Sequence, residues 1–167
     1  MPDCTETKVV SGRLGRRVIE ADFDGGRPGS DGGVMLLRQA DERLGLTRAA
    51  AQAIGDSRNP LLITHELRDL LAQRIYAMCC GYEDLNDHTS LREDVLMQTA
   101  VGVKDTMASS PTLCRLENRT ARWQSVALHG VLVDQFIASH EHAPERIVLD
   151  IDASDIPLHG DQQRSEF

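Results

Sequence analysis

A mainly α fold, closed near its C-terminal end by one buried strand, is what this sequence predicts. Three observations carry that expectation. Apolar residues recur at helical spacing from Val34 to Phe136, and glycines and prolines punctuate them at the intervals of short helices. After Pro144 the period changes, and Ile147, Val148, Leu149 and Ile151 form an almost unbroken apolar run. With 167 residues, the chain can build one domain with a real core, or two small ones.

The elements follow in order. Residues 1–33 read as irregular apart from one short strand. There Val18, Ile19, Ala21 and Phe23 alternate imperfectly with Arg17, Glu20, Asp22 and Asp24. The run Gly25-Gly26-Arg27-Pro28-Gly29 breaks it, and Ser30 or Asp31 caps a helix with the apolar face Val34, Leu36, Leu37, Ala40 and Leu44, ended by Gly45. Gly29-Ser30-Asp31-Gly32-Gly33 fits neither a P-loop nor a dinucleotide fingerprint, so a cap and turn is the better reading. A short helix over 46–55 follows. Thr64-His65-Glu66-Leu67 opens the next, with Leu67, Leu70, Leu71, Ile75 and Met78 repeating up to Gly81, and His65 at its surface. In Tyr82–His88, Glu83, Asp84, Asp87 and His88 have the chemistry of metal ligands. Asn and Asp also favour turns through local hydrogen bonds, and the turn is preferred. A further helix is expected over Ser90 to Ala100.

Ser110 is a suitable N-cap and Pro111 suits the first turn of a helix that places Thr112, Arg115 and Arg119 along one side, with Arg122 just beyond. Such a face is what a recognition helix offers to DNA. A packing helix with solvated arginines is the alternative, and the residues leave both open. A long amphipathic helix over Ala121–Ser139 then carries Trp123, Val126, Ala127, Val131, Leu132 and Phe136 as its apolar stripe, with Trp123 and Phe136 expected in the core.

Composition excludes little. At 41% hydrophobic and 26% charged it is that of a soluble globular protein, and no apolar run approaches the ~20 residues of a membrane helix. The start, MPDCTETKVV, lacks the basic and apolar regions of a secretory signal. Cys4, Cys79, Cys80 and Cys114 form no C-x-x-C pair, which points to a reduced, cytoplasmic protein with buried thiols. A net charge of −8 weighs mildly against a nucleic-acid partner. That average hides a gradient: Arg13, Arg16 and Arg17 cluster early, Arg115, Arg119 and Arg122 past the middle, and Asp150, Asp152, Asp155 and Asp161 at the end.

The chemistry concentrates in that last stretch. Arg146-Ile147-Val148-Leu149-Asp150-Ile151-Asp152 reads as a buried strand whose two aspartates, at alternate positions, share a face. Neighbouring buried carboxylates repel unless a cation neutralises them, and Mg²⁺ takes such hard oxygen ligands. The bland alternative is a strand-end Asp capping a turn, with Asp150 paired to Arg146. For two same-face acids with Asp155 three residues on, function is the better reading. Asp150-Ile151-Asp152-Ala153-Ser154 fits two kinds of phosphate chemistry. In haloacid-dehalogenase-like phosphatases Asp150 would be the nucleophile and Asp152 the general acid. In RNase H-like nucleases and transposases a strand-borne Asp holds one of two metals that drive in-line attack on a phosphodiester. Only fifteen residues follow Asp152 and a long helical region precedes it, an order of elements that favours the second.

The chain resembles the DDE transposases of bacterial insertion sequences, specifically the group called IS thirteen-eighty. The similar stretches are Ser30-Asp31-Gly32-Gly33 through Leu36-Leu37-Arg38-Gln39-Ala40-Asp41, Gly81-Tyr82-Glu83-Asp84-Leu85-Asn86-Asp87-His88, Pro111-Thr112-Leu113 with Arg115-Leu116-Glu117-Asn118, and Pro144 through Asp155 with His159-Gly160 and Gln162. The resemblance implies that Asp152 is the first acid of the catalytic triad, with Asp150 the less favoured candidate. It implies Mg²⁺ or Mn²⁺ in the complete enzyme, DNA at transposon ends as partner, and a homo-oligomer. Residues 1–143 would then be a mostly helical DNA-binding region and 144–167 the first strand of an incomplete RNase H-like α/β catalytic core. In the family, further strands bear a second Asp and a distant Glu, whereas Glu166 lies too near Asp152 to be that Glu. The expectation is a truncated chain that holds no metal tightly and does not cleave or join DNA alone. A free-standing helical DNA-binding module that regulates an intact element is the alternative, ahead of a phosphatase-like fragment.

Overall fold

The computed structural model describes residues 9–21 and 31–151. Two strands, β1 (Val9–Leu14) and β2 (Arg17–Ala21), pair antiparallel in a hairpin. Its two-residue loop is Gly15-Arg16, and Gly15 has φ +58°, a conformation that glycine adopts without steric penalty. The sequence pointed to β2 alone, because Ser11 and Gly12 interrupt the pattern of β1 where the pairing is irregular between Val10 and Arg13. Phe23 lies outside the described residues.

Seven α-helices follow among the described residues: α1 (Val34–Leu44), α2 (Leu46–Ile54), α3 (Leu67–Cys79), α4 (His88–Leu91), α5 (Val95–Val101), α6 (Ser110–Arg119) and α7 (Arg122–Ala138). The mainly α expectation holds. Gly45 ends α1 in the left-handed conformation and Gly55 caps α2, as their positions in the sequence suggest. Asp84 accepts from the Asn86 N–H at the start of a 3₁₀ turn, so its side chain does serve the turn.

Helix α3 is the centre of the molecule. One of its sides meets Val34, Met35, Leu91, Met97, Val101 and Met107 through Ala72, Tyr76 and Ala77. The other meets Ile54, Ala108, Leu113 and Leu116 through Leu67 and Leu70. Between these apolar layers Gln73 donates to the Ala108 carbonyl at 2.9 Å, accepts from the Ala108 N–H at 3.1 Å, and donates to His88 Nδ1 at 3.1 Å. His88 is fully buried and therefore a core residue.

Several expectations are corrected. Helix α1 buries Val34, Met35, Arg38 and Asp41, not Leu36, Ala40 and Leu44; its inner face is partly ionic, so a hydrophobic stripe misplaces it. Its N-cap is Gly33 rather than Asp31, with Asp31 contributing a backbone carbonyl to Val34 N–H; Ser30 lies outside the described residues. The helix expected over 90–100 is two, because Asp94 starts α5 afresh by accepting from the Met97 N–H. His65 is half-buried instead of lying at the surface. Cys79 is exposed, and Cys80 and Cys114 are half-buried, so these thiols are not core groups.

Helix α7 departs furthest. Trp123 (62% exposed) and Phe136 (47%) are not in the core, and Val126 and Leu132 are exposed with them. Of its side chains Val131 alone is buried. Residues 146–151 form no strand: Ile147, Val148, Leu149 and Ile151 are all exposed, and no other strand of the described residues lies alongside to complete a ladder. A strand is held by hydrogen bonds to its neighbours, and apolar content alone does not supply them.

Candidate nucleic-acid interface and acidic segment

Helix α6 opens on Ser109, one residue earlier than expected. Its carbonyl accepts from the N–H groups of Thr112 and Leu113, and Pro111 sits in the first turn, where its missing N–H is harmless. Leu113 and Leu116 anchor one side in the core, which turns Arg115 and Arg119 outward. Thr112 is half-buried; its hydroxyl lies 3.1 Å from that of Ser109 and accepts from Arg115 Nη2 at 3.2 Å. The structure thus brings Thr112 and Arg115 together.

Arg119 stands a turn further on, at the rim of a ≈ 420 Å³ depression lined by Gly55, Asp56, Thr120, Trp123 and Gln124. Arg122 is exposed at the first position of α7. Acids temper this surface. Glu117 pairs with Arg74 at 2.7 Å, and Asp56 binds Arg58. Hydrogen bonds from Arg58 hold the Asp56 carboxyl below its ordinary range against partial burial, with the Arg119 charge acting in the same direction.

The acidic segment offers less geometry. Asp150 is exposed on a stretch without regular secondary structure, while Asp152 and Asp155 lie outside the described residues. Among the described residues no three His, Cys, Asp or Glu side chains group as a metal would require. Asp150 by itself does not make a divalent-ion site.

One polar cluster was not among the sequence-based expectations. Asp41 accepts from the Thr47 hydroxyl at 2.6 Å, the Thr47 N–H at 2.8 Å, the Tyr76 hydroxyl at 3.0 Å and Arg68 Nη2 at 3.4 Å. Burial pushes its carboxyl up, but these donors outweigh it and the net displacement is downward. Tyr76 is pushed above its ordinary value by burial and by the Asp41 charge. Arg38 and Arg68 then reach the last turn of α5. There Arg38 Nη1 donates to the Thr99 carbonyl at 2.8 Å and Arg68 Nη1 to the Val101 carbonyl at 2.6 Å, groups that a helix end leaves without partners. The spacing Val34, Arg38, Asp41 is the one signal in the sequence: polar residues in helical step with a buried apolar one.

Neither the helical body nor the acidic segment decides the family alone, but a comparison across nearly the whole chain does. Residues 11–167 match the family described as transposase DDE domain group 1. The chain belongs to the DDE transposases. No curated protein and no solved structure matches it. Membership gives this transposase a role in DNA transposition, a DNA partner at transposon ends, and a family chemistry that uses divalent metal ions. No helix among the described residues is long and apolar enough to cross a membrane.

Proposed function

We propose that this transposase is of the IS thirteen-eighty type, with Asp152 as the first acid of its catalytic triad and Asp150 beside it as a secondary metal ligand. The observation that supports the DDE part of the reading is the family match, whose matched residues 11–167 include Asp150-Ile151-Asp152-Ala153-Ser154. Residues 1–143 act as the helical DNA-binding region, and 144–167 begin the RNase H-like catalytic domain. On the DNA side, Thr112, Arg115, Arg119 and Arg122 contact the transposon end. The outward placing of the three arginines supports this, because counter-charge to phosphate must face solvent.

A divalent ion, Mg²⁺ or Mn²⁺, would supply charge neutralisation at the phosphodiester being attacked. Within these 167 residues one acid stands at a position matching the family pattern, or two counting Asp150. Taken as these 167 residues alone, the polypeptide is expected neither to hold the ion tightly nor to cut DNA. The protein works in the cytoplasm, and the complete enzyme acts as a homo-oligomer.

The test is metal-dependent strand cleavage at transposon ends by the chain carried on through the family's downstream acids. Activity abolished by Asp152→Ala supports the assignment; undiminished cleavage by that variant rejects it.

A further inference from the structure

A second cationic surface lies away from α6, assembled from distant parts of the sequence. Arg38 Nη2 donates to the Arg13 carbonyl at 3.3 Å and so ties strand β1 to α1. At the hairpin tip, a Cβ placed on Gly15 would lie 3.7 Å from Lys104 Cε, so the turn rests against the side chain that follows the end of α5. Beside that end opens a cavity of ≈ 370 Å³ lined by Arg38, Arg48, Arg68, Asp41, Gly45 and Gly102. Hairpin, α1, α2 and the α5 terminus thus bring Arg13, Arg16, Arg48, Arg68 and Lys104 to one face.

The acids there are largely engaged. Asp41 is buried under four donated hydrogen bonds, Glu42 holds Arg38 at 2.8 Å, and Asp69 holds Arg68 at 3.2 Å. Asp105, exposed next to Lys104, makes no ion pair among the described residues. Arg13, Arg16, Arg48 and Lys104 are exposed and make no ion pair among the described residues. On a chain of net charge −8, four exposed cations without an ion pair among the described residues are a local reversal of sign.

We infer that this hairpin-and-cavity face binds the phosphate backbone of duplex DNA, with the Gly15-Arg16 turn lying along the duplex and Arg48 and Arg68 receiving a phosphate at the cavity mouth. It rests on the proposed DNA-binding role of the helical region and gives that role a second surface. A β-ribbon is narrow enough to follow a groove, and neutralising phosphates releases counterions whatever the base sequence. The contact is therefore sequence-independent: it positions the DNA and leaves end recognition to another surface.

The test is fluorescence anisotropy of the 167-residue chain with a labelled duplex across a salt series. The triple variant Arg16→Ala, Arg48→Ala, Lys104→Ala removes three exposed side chains that hold no hydrogen bond among the described residues, and a helical circular-dichroism melt confirms that it folds. The slope of log affinity against log salt should fall in magnitude by roughly two to three, with equal losses on transposon-end and random duplexes. The pair Arg115→Ala, Arg119→Ala is measured alongside. Loss in the triple variant, with or without loss in the pair, supports the inference; loss in the triple alone also removes α6 from the DNA. Loss in the pair alone overturns the inference and leaves the α6 reading intact. No measurable binding by the unsubstituted chain at about 50 mM salt overturns it as well.

Discussion

Helices α3 and α7 both read from the sequence as amphipathic elements of the core, yet the protein treats them oppositely. Helix α3 is enclosed on two sides and buries Leu67, Leu70, Ala72, Gln73, Tyr76 and Ala77. Helix α7 packs against α2, with Leu128 near Ile54 and the Gln124 amide donating to the Ile54 carbonyl at 3.0 Å, but leaves most of its apolar residues in water. Its composition explains the difference. From Val126 to Ala138 the charged residue is Asp134, and apolar side chains occur all round the helix, so one neighbour cannot cover them. A periodic pattern specifies that a helix forms; how much of it is buried depends on how many partners surround it.

The largest effect expected from this contrast is on stability. Leu70→Ala or Leu113→Ala should lower unfolding free energy by about 2–5 kcal/mol, whereas Val133→Ala should stay within about 0.5 kcal/mol. Urea melts followed by circular dichroism decide the matter, and equal losses in α3 and α7 would break the comparison. Next comes Asp41→Ala, which strands the donors of Thr47, Tyr76 and Arg68; a loss of about 2–3 kcal/mol is expected in the same melts, smaller than for a wholly buried pair because Arg68 is partly solvated.

A smaller effect is on pH dependence. Burial, helped by the Arg74 charge and opposed by Asp87 and Glu117, pulls His88 below its ordinary value of 6.5. The unfolded chain therefore binds the proton first, so stability from a neutral His88 is complete above 6.5 and declines as pH falls from there toward the folded value. Asp41, displaced downward from 3.8, adds a second decline as pH falls through its lower folded value. Melting temperature measured from pH 8 to pH 3 should fall in both windows, and His88→Gln should flatten the upper one. The smallest effect is optical. Trp123 is the single tryptophan and is exposed, so its emission should be red-shifted and readily quenched by acrylamide in the folded chain. Shielding equal to that of a core residue would contradict the placing of α7.

How much of this was legible follows from the kind of interaction involved. Helix ends marked by Gly45, Gly55 and Pro111 depend on local backbone chemistry and could be read directly. The inner face of α1 could not, because Arg38 and Asp41 are buried by partners 25 to 61 residues away in sequence: Arg13, Arg68, Tyr76 and Thr99. His88, read as a metal-ligand candidate or, by preference, a turn residue, is buried and hydrogen-bonded to Gln73 on another helix. At the acidic segment the sequence suggested a strand, but strand formation is a non-local event, and residues 146–151 form none among the described residues.

The central claim is that Asp152 is the first catalytic acid of this transposase. It is tested most directly by comparing Asp152→Ala with Asp150→Ala in Mg²⁺-dependent cleavage of a labelled transposon end, using the polypeptide extended through the downstream acids. The account predicts that cleavage disappears with the first substitution and is reduced but measurable with the second. Cleavage that survives loss of Asp152 would contradict it.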